Sequence, residues 1–383
     1  MKKSKADLKE DYKEIFSDLE KLNPDSVVLS ESPLSIVDNW IDSGSFALNA
    51  IMSGSVYGGV PQGRIVGFTG PTSSGKTLII NKIIGKAQKQ LGQYGVIWDS
   101  EVAIDANAAA NVGCDITRIR HNPIDTVENC RNQISTFLDN IIKKGYQGKF
   151  IIAIDSLGNL SSAKELADIE KDKSATDMGL RAKAIKSMMR ALTYKAAKAK
   201  TTILFSNHVY SDPSAMFPSL VQPQSGGKGP SYLASLLVQL SHKAEKGEKE
   251  HSDEPMITNA ERIGATLNAM TIKNRFVPPF LRTDMYINYK TGLDRYAGLL
   301  ELALNYEIII QSGPTYTLKD GKKLGFHKNF KNNAEFWNND ILPELDIALK
   351  REFRYSNEKY ESLKAKADKI DQEVLSQDSL DIS

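Results

Sequence analysis

One eight-residue stretch of the sequence has the residue types and the spacing that hold nucleotide phosphates. It fits the pattern G-x-x-x-x-G-K-[ST] at every position: Gly70, Pro71, Thr72, Ser73, Ser74, Gly75, Lys76 and Thr77. The glycines let backbone N–H groups close around phosphate oxygens, and the N-terminus of a following helix adds positive potential. We expect Lys76 to reach the β- and γ-phosphates and the Thr77 hydroxyl to coordinate Mg²⁺. The stretch therefore predicts a site for a magnesium-nucleotide, with ATP as the expected nucleotide.

Carboxylates follow two further apolar runs that read as buried strands. Asp155 ends the run IIAID, where it can orient Mg²⁺ through a water, although an Asp in this place also caps a helix over 156–160. Glu101 ends the run VIWDSE and can position and deprotonate a water that attacks a γ-phosphate. Asp99 competes for that role, and the spacing alone leaves both residues open.

The elements that must position these residues follow from alternating strand-like and helix-like stretches between residues 45 and 295. Helix-compatible stretches lie at 76–91 and 126–144. Apolar runs suited to buried parallel strands occur at Arg64–Thr69, Val96–Asp99, Phe150–Asp155, Thr202–Ser206, Leu236–Leu240 and Leu267–Ile272. This alternation predicts an α/β fold with a central, mostly parallel sheet covered on both faces.

The chain divides by pattern into four regions. Residues 1–44 contain an amphipathic helix over 5–22, which can pack on its own domain or on a neighbouring subunit, and we assign them as an N-terminal oligomerisation segment. Residues 45–295 form the core, and 296–359 a small α+β C-terminal domain. Residues 360–383 are polar and acidic, which predicts a flexible tail.

Composition excludes several classes of protein. The net charge is only +2, so a surface for nucleic acid must be local. Two cysteines in 383 residues exclude a disulfide framework and a four-cysteine zinc module. The sequence has neither a signal peptide at its N-terminus nor an apolar run long enough to span a membrane. We expect a soluble, cytoplasmic protein.

A strongly basic stretch is the local surface that could bind nucleic acid. Residues 178–200 contain seven basic residues and no acid. On a helical wheel, Ile185, Met188, Met189 and Leu192 share one face, and Lys183, Lys186, Ser187 and Arg190 share the opposite one. The pattern predicts a helix that packs on the core and presents cations to phosphates. The alternative is an ordinary solvated helix face.

Seven segments stand in order over roughly residues 45–300 and read GPTSSGKT, WDSE, IDSLGNL, DMGLRAKAIKSMMRAL, FSNH, SGGKGP and IKNR. Taken together, they resemble the RecA-type recombinases, and most closely the phage UvsX-type branch. The resemblance implies a RecA-like P-loop ATPase core in which Glu101 is the catalytic carboxylate and Asp155 the acid associated with Mg²⁺.

The resemblance also implies residues that sense or neutralise the γ-phosphate. His208 stands where the wider family has Gln and UvsX-type proteins have His, and either side chain can donate a hydrogen bond toward that phosphate. Lys273 and Arg275 match paired basic residues that act on the γ-phosphate of the adjacent subunit, as an arginine finger does. The alternatives are a surface histidine at a strand end and a solvated basic strand end.

The base pocket departs from the family pattern. An aromatic residue that stacks on the base stands seven positions after the catalytic Glu in the family, and here that position is Ala108. Asp105 is retained and can meet the adenine edge or the ribose. Tyr289 aligns with a family aromatic that lies near the base from the next protomer.

Two loops flank the basic helix, at 164–177 and 209–230, and the resemblance identifies them as the DNA-binding loops. Gly226, Gly227 and Lys228 would let the backbone approach phosphates, and Met178 would lie near the bases. Met216 and Phe217 are the apolar residues of the second loop, and Phe217 can separate bases.

The resemblance implies an ATP-dependent homologous recombinase. It would form helical filaments on single-stranded DNA and exchange strands with homologous duplex DNA in recombination, repair and replication. A single-strand-binding protein and a recombination mediator are the further expected partners, in the host cytoplasm if a phage encodes the chain. The alternatives are a hexameric helicase on the same core fold and an ATP-gated DNA-binding assembly protein.

Overall fold

The computed structural model describes residues 5–169, 171, 178–210, 220–242, 264–288 and 291–353. It divides into two compact units, Met1–Asn39 and Trp40–Ser383. The first unit contains helix α1 (Lys5–Leu22), which confirms the helix predicted there. Its apolar side chains Ile15, Phe16, Leu19 and Leu22 are exposed. No helix among the described residues could cross a membrane.

The second unit contains the remaining strands and helices of the described residues. Its strands are β1 (Trp40–Ile41), β2 (Val60–Pro61), β3 (Ile65–Gly70), β4 (Tyr94–Asp99), β5 (Ile119–Pro123), β6 (Phe150–Asp155), β7 (Thr202–His208), β8 (Leu236–His242), β9 (Gly264–Asn274), β10 (Arg282–Asn288), β11 (Gly292–Leu293), β12 (Ile309–Ser312), β13 (Thr315–Leu318) and β14 (Lys323–Gly325). Its helices are α2 (Phe46–Ser53), α3 (Lys76–Leu91), α4 (Ala106–Asn111), α5 (Val127–Lys144), α6 (Ala163–Ile169), α7 (Met178–Lys198), α8 (Gly229–Leu233), α9 (Leu299–Asn305), α10 (Ala334–Phe336) and α11 (Leu342–Phe353).

A nine-stranded sheet organises this unit, in the order β11-β10-β9-β8-β3-β7-β6-β4-β5. The strands from β8 to β5 run parallel, and β9, β10 and β11 continue the sheet as an antiparallel meander. The predicted α/β fold with a mostly parallel sheet is confirmed. The assignment of 267–272 to a parallel strand is wrong, because an apolar run reports burial of both faces and not strand direction.

Alternate residues of the buried strands pack into separate cores on the two faces of the sheet. In β6, Ile151 and Ala153 contact the core formed with α2, α3 and α4, whereas Ile152 and Ile154 contact the core formed with α5 and α7. Both faces are therefore covered, which leaves the carboxyl edge of the parallel strands as the place where polar side chains can gather.

The elements after residue 295 build a third core with part of α2. The small sheet β12-β13-β14 is antiparallel, and its neighbours α9, α10 and α11 bury Leu299, Phe336 and Leu345 against Phe46. Asp346 of α11 accepts hydrogen bonds from the Ser55 hydroxyl and the Val56 N–H. The domain boundaries at 44/45 and 295/296 stay predictions, and the predicted acidic tail lies outside the described residues.

Candidate nucleotide site and basic helix

The loop between β3 and α3 has the backbone conformation that the phosphate-binding pattern requires. Gly75 adopts φ 80° directly before α3 begins at Lys76. A Cβ on Gly70 would lie 2.6 Å from the carbonyl oxygen of Leu240, so only glycine fits where the strand enters the loop. The register of the sheet places Gly70 beside His208 on β7. The loop therefore lies at the carboxyl ends of the parallel strands.

Lys76 lies against this loop. Its Nζ donates hydrogen bonds to the carbonyl oxygens of Gly70 (3.1 Å) and Pro71 (2.7 Å), and the residue is 7% exposed. Burial lowers the pKa of the ammonium, and attraction to the carboxylates of Asp155 and Glu101 opposes that shift. The arrangement is a partly desolvated cation at the mouth of a loop lined by backbone groups.

Asp155 is buried at the end of β6 and is held by two hydroxyl groups. The Thr77 hydroxyl donates to Oδ2 at 2.7 Å, and the Ser206 hydroxyl donates to Oδ1. Burial raises the pKa of this carboxyl group, and the two hydrogen bonds act against the rise. The helix-cap alternative does not fit, because both oxygens are engaged by these hydroxyls and the next turn, Leu157–Asn159, begins after Ser156.

Asp99 and Glu101 occupy different environments, although the sequence left both open as the base. Asp99 is 1% exposed, and its carboxylate accepts hydrogen bonds from the backbone N–H groups of Glu101 (3.0 Å), Val102 (2.8 Å) and Ile104 (3.3 Å). In addition, His121 Nε2 lies 3.1 Å from Oδ2 of Asp99. Asp99 therefore shapes the loop that carries Glu101.

The Glu101 side chain is 38% exposed and faces the site. Its Oε1 accepts a hydrogen bond from the Ser156 hydroxyl at 2.7 Å and lies 3.1 Å from His208 Nε2. Burial would raise the pKa of this carboxyl group, but the hydrogen bonds from Ser156 and His208 outweigh it, so the pKa is lowered. An ionised, accessible carboxylate is the form that can accept a proton from water, and this geometry favours Glu101.

Two residues, Asp105 and Tyr289, were expected near the nucleotide base. The Asp105 side chain caps α4 by accepting the Ala108 N–H at 2.6 Å, and both residues are exposed. Tyr289 lies outside the described residues. The expected contacts of Asp105 and Tyr289 with the base or ribose stay predictions.

Lys273 and Arg275 lie away from the phosphate loop along the strand direction. Lys273 pairs with Leu237 of β8, which pairs with Gly67 of β3, so three residue steps, or about 10 Å, separate its level from Gly70. The Arg275 N–H donates to the Ser235 carbonyl oxygen, and the Ser235 N–H donates to the Ile65 carbonyl oxygen at the start of β3. The structure therefore does not bring these two cations to the loop of their own chain.

The basic helix has the two faces that the wheel predicted. Lys183, Lys186 and Arg190 are exposed, whereas Ile185, Met188, Met189 and Leu192 are buried. Lys228 is also exposed, in the turn that packs on α7. The Met178 side chain, Met216 and Phe217 lie outside the described residues. Of the first predicted DNA loop, residues up to 169 form α6.

Gly226 and Gly227 have a packing role that the sequence reasoning missed. Both adopt positive φ, at 80° and 71°. A Cβ on Gly226 would lie 2.4 Å from Cδ1 of Ile185, and one on Gly227 would lie 3.2 Å from Cβ of Ala182. These glycines let the turn approach α7 closely, whatever they do for DNA.

Four polar residues at the site were also missed: Ser156, Ser206, Arg181 and Ser225. Ser156 follows Asp155, and Ser206 ends the predicted strand 202–206, two features that the sequence did identify. Arg181 stands four residues before the buried Ile185, a spacing that puts both on the inner face of a helix. That spacing was the available signal that Arg181 is turned away from the exposed cations.

Comparison with known proteins gives a consistent family match. The profile of the RecA N-terminal domain matches residues 15–294. Protein RecA of Heliobacterium modesticaldum is 32% identical over 311 residues, covering 81% of this chain and 82% of its own. Protein RecA of Mesoplasma florum is 29% identical over 310 residues (81% and 86%), and that of an Arthrobacter species is 29% identical over 311 residues (81% and 80%).

Proposed function

The chain belongs to the RecA family, and from that premise we propose that it is an ATP-dependent homologous recombinase. It is a DNA-dependent ATPase that acts in recombination and repair by pairing and exchanging DNA strands. One observation carries the proposal best: Glu101, His208, Asp155 and Thr77 meet beside the phosphate loop at one sheet edge, and His208 is the last residue of β7 before the predicted DNA loop.

The phosphate loop supports ATP as the nucleotide and Mg²⁺ as its metal. Thr77 Oγ1 and Asp155 Oδ2 are hard oxygen donors 2.7 Å apart at the mouth of the loop. Mg²⁺ is usually bound through one or two protein oxygens together with substrate phosphates, so this pair fits it. When bound, the ion neutralises charge on the phosphate oxygens.

Hydrolysis is assigned to Glu101. Its exposed, ionised carboxylate can position a water and accept its proton as the water attacks the γ-phosphate. His208 shares Oε1 of Glu101 with the Ser156 hydroxyl. A γ-phosphate that attracts the imidazole would therefore alter both the carboxylate and the segment after β7.

Lys273 and Arg275 are assigned to the nucleotide of an adjacent subunit. Lys273 is level with Gly67 and Arg275 lies nearer the start of β3, both displaced from the phosphate loop, so they fit action between chains and not within one chain. A repeated contact of this kind, with different surfaces meeting, builds a helical filament when the rotation does not close. The exposed apolar residues of α1 are suited to covering part of a neighbouring subunit.

DNA binding is assigned to the exposed cations of α7 and to Lys228. Contacts to phosphates carry no sequence information, which suits an enzyme that must accept any sequence. We assign Met178, Met216, Phe217, Gly226 and Gly227 to the same surface, as the family resemblance implied.

The finer assignments are further proposals. His208 in place of Gln supports a UvsX-type branch, which would make the chain phage-encoded and active in the host cytoplasm. A recombinase of this branch would work with a single-strand-binding protein and a recombination mediator. We also propose residues 1–44 as the oligomerisation segment.

Electron microscopy with single-stranded DNA and a non-hydrolysable ATP analogue tests the proposal. Helical filaments are expected, whereas closed rings would favour the helicase. Measurement of ATP hydrolysis with and without single-stranded DNA separates the remaining alternative, since an assembly protein would show no stimulation.

A further inference from the structure

Arg181 differs from the other cations at the start of α7 because its guanidinium group turns inward. Nη2 donates hydrogen bonds to the carbonyl oxygen of Gly158 and to the Ser225 hydroxyl, the latter at 3.1 Å. Lys183, two residues later, is exposed. Arg181 therefore joins α7 to the turn after β6 and to the end of the predicted second DNA loop.

Ser225 is the point where these segments meet β7. It is 2% exposed, and its N–H donates to the His208 carbonyl oxygen at 3.0 Å. Its own carbonyl oxygen accepts a hydrogen bond from Asn207 Nδ2 at 2.9 Å, and its hydroxyl lies 3.2 Å from the Gly158 carbonyl oxygen. Ser225 thus has no freedom to move without disturbing the end of β7 or the turn at Gly158.

Both of those segments lead to one atom of the proposed catalytic base. On one side, His208 Nε2 lies 3.1 Å from Oε1 of Glu101. On the other side, Ser156, two residues before Gly158, donates its hydroxyl hydrogen to the same Oε1 at 2.7 Å. The hydrogen bonds of Arg181 and Ser225 connect these two segments to each other on the side farthest from Glu101.

We propose that Arg181 is a positioning residue that couples DNA binding on α7 to the state of Glu101 and the nucleotide. The proposal rests on the proposed function. DNA bound by the exposed cations of α7 favours one position of that helix. The hydrogen bonds of Arg181 make Ser225 and Gly158 follow the helix. Because coupling between two binding sites is reciprocal, nucleotide must tighten DNA by the same factor by which DNA tightens nucleotide.

The test measures that factor in the full-length protein. Affinity for labelled oligothymidylate is measured with and without the analogue AMP-PNP, and affinity for AMP-PNP with and without the oligonucleotide. In Arg181→Met, the coupling factor is expected to fall at least about fivefold in both directions. Each ligand alone should bind within about twofold of its wild-type affinity, because Arg181 belongs to neither proposed site.

Companion variants separate coupling from a general structural role. Arg131→Met removes a different arginine that reaches α7, at Ser187, and should leave the coupling factor unchanged. Arg181→Lys retains a cationic donor and should recover part of the factor. Ser225→Ala removes one of the two acceptors of Arg181 and should lower the coupling factor less than Arg181→Met does, and the double variant should match Arg181→Met because both changes open the same contact.

The outcomes distinguish the two proposals. Wild-type protein that shows no coupling and no DNA-stimulated hydrolysis would overturn the proposed function, and this inference with it. A wild-type coupling factor in Arg181→Met and Ser225→Ala would overturn only the role of Arg181. If Arg181→Met fails to fold, Ser225→Ala decides alone.

Discussion

The Thr77 hydroxyl donates a 2.7 Å hydrogen bond to Oδ2 of Asp155, joining the first turn of α3 to the end of β6. The two residues are 78 positions apart in the chain, and the sheet brings them together because β7 lies between β3 and β6. The Ser206 hydroxyl on that middle strand holds the other oxygen of Asp155. The carboxylate is therefore oriented by the fold, which limits the rearrangement that metal and nucleotide require.

Replacing Lys76 by alanine should abolish ATP-dependent strand exchange. The ammonium at the loop is the main cation that the chain offers to the β- and γ-phosphates. Strand exchange between a labelled oligonucleotide and a homologous duplex measures the loss. Lys89→Ala, in the last turn of the same helix, is the matched control and should retain activity. Activity in Lys76→Ala would refute the nucleotide site.

Glu101→Gln should still bind ATP and DNA but hydrolyse ATP roughly 10²–10⁴-fold more slowly, since an amide cannot accept the proton from water. Filaments should consequently persist, which the decay of a fluorescent DNA signal after dilution can follow. Wild-type turnover in this variant would remove Glu101 from the mechanism.

Asp99→Asn should act through stability. The amide keeps one oxygen that can accept the Glu101 and Val102 N–H groups, but its nitrogen cannot accept the Ile104 N–H that Oδ2 now satisfies, so unfolding should cost about 1–3 kcal/mol less. The urea midpoint measures the change. In contrast, Glu101→Gln, at a partly exposed side chain, should stay within about 0.5 kcal/mol of wild type. Equal midpoints for the two variants would contradict the distinction.

Mixed assemblies test whether Arg275 acts between chains. Lys76→Ala and Arg275→Ala should each be inactive alone, yet an equal mixture should recover hydrolysis. About one junction in four then joins an intact Lys76 to an intact Arg275 of the neighbour. Steady-state ATP hydrolysis with single-stranded DNA measures the recovery. A mixture as inactive as its components would place Arg275 on its own chain's nucleotide.

The pH dependence of hydrolysis should identify Lys273. Burial, with Arg275 nearby, lowers the pKa of its ammonium to about 8, below the ordinary value of 10.5. The positive charge is thus present at lower pH and is lost as pH rises through that value, or somewhat higher when a phosphate is beside it. DNA-stimulated turnover should fall in that range. Lys273→Arg, which stays protonated, should show less of the fall, and identical profiles would exclude Lys273.

Burial and spacing predicted much of the fold. The predicted strand Phe150–Asp155 and the predicted helix at 76–91 appear with the same bounds, and the strand predicted at Thr202–Ser206 extends two residues further, to His208. In contrast, β5 was missed, because its sequence IRHNP at the edge of the sheet lacks the apolar run of a buried strand.

Strand direction was harder to predict from the sequence than burial was, and it determines where the residues of β9 lie relative to the nucleotide site. Lys273 and Arg275 stand at the end of β9, so a parallel β9 would have put them beside Gly70. The antiparallel direction instead places Lys273 level with Gly67 and Arg275 level with the start of β3. Likewise, the choice between Asp99 and Glu101 depended on which backbone N–H groups each carboxylate meets, and residue spacing carries no such information.

The separation of Lys273 and Arg275 from Gly70 gives the proposed assembly a direction. Each subunit would carry a nucleotide site on one surface, and on another surface the cations that complete the nucleotide site of a neighbouring subunit. A row of n chains then holds n − 1 finished sites, and a solitary chain holds none. The terminal subunit whose nucleotide site no neighbour completes keeps its ATP, while interior subunits hydrolyse theirs. The rate of ATP hydrolysis per subunit would therefore depend on filament length, and the nucleotide bound at the two ends of a filament would differ.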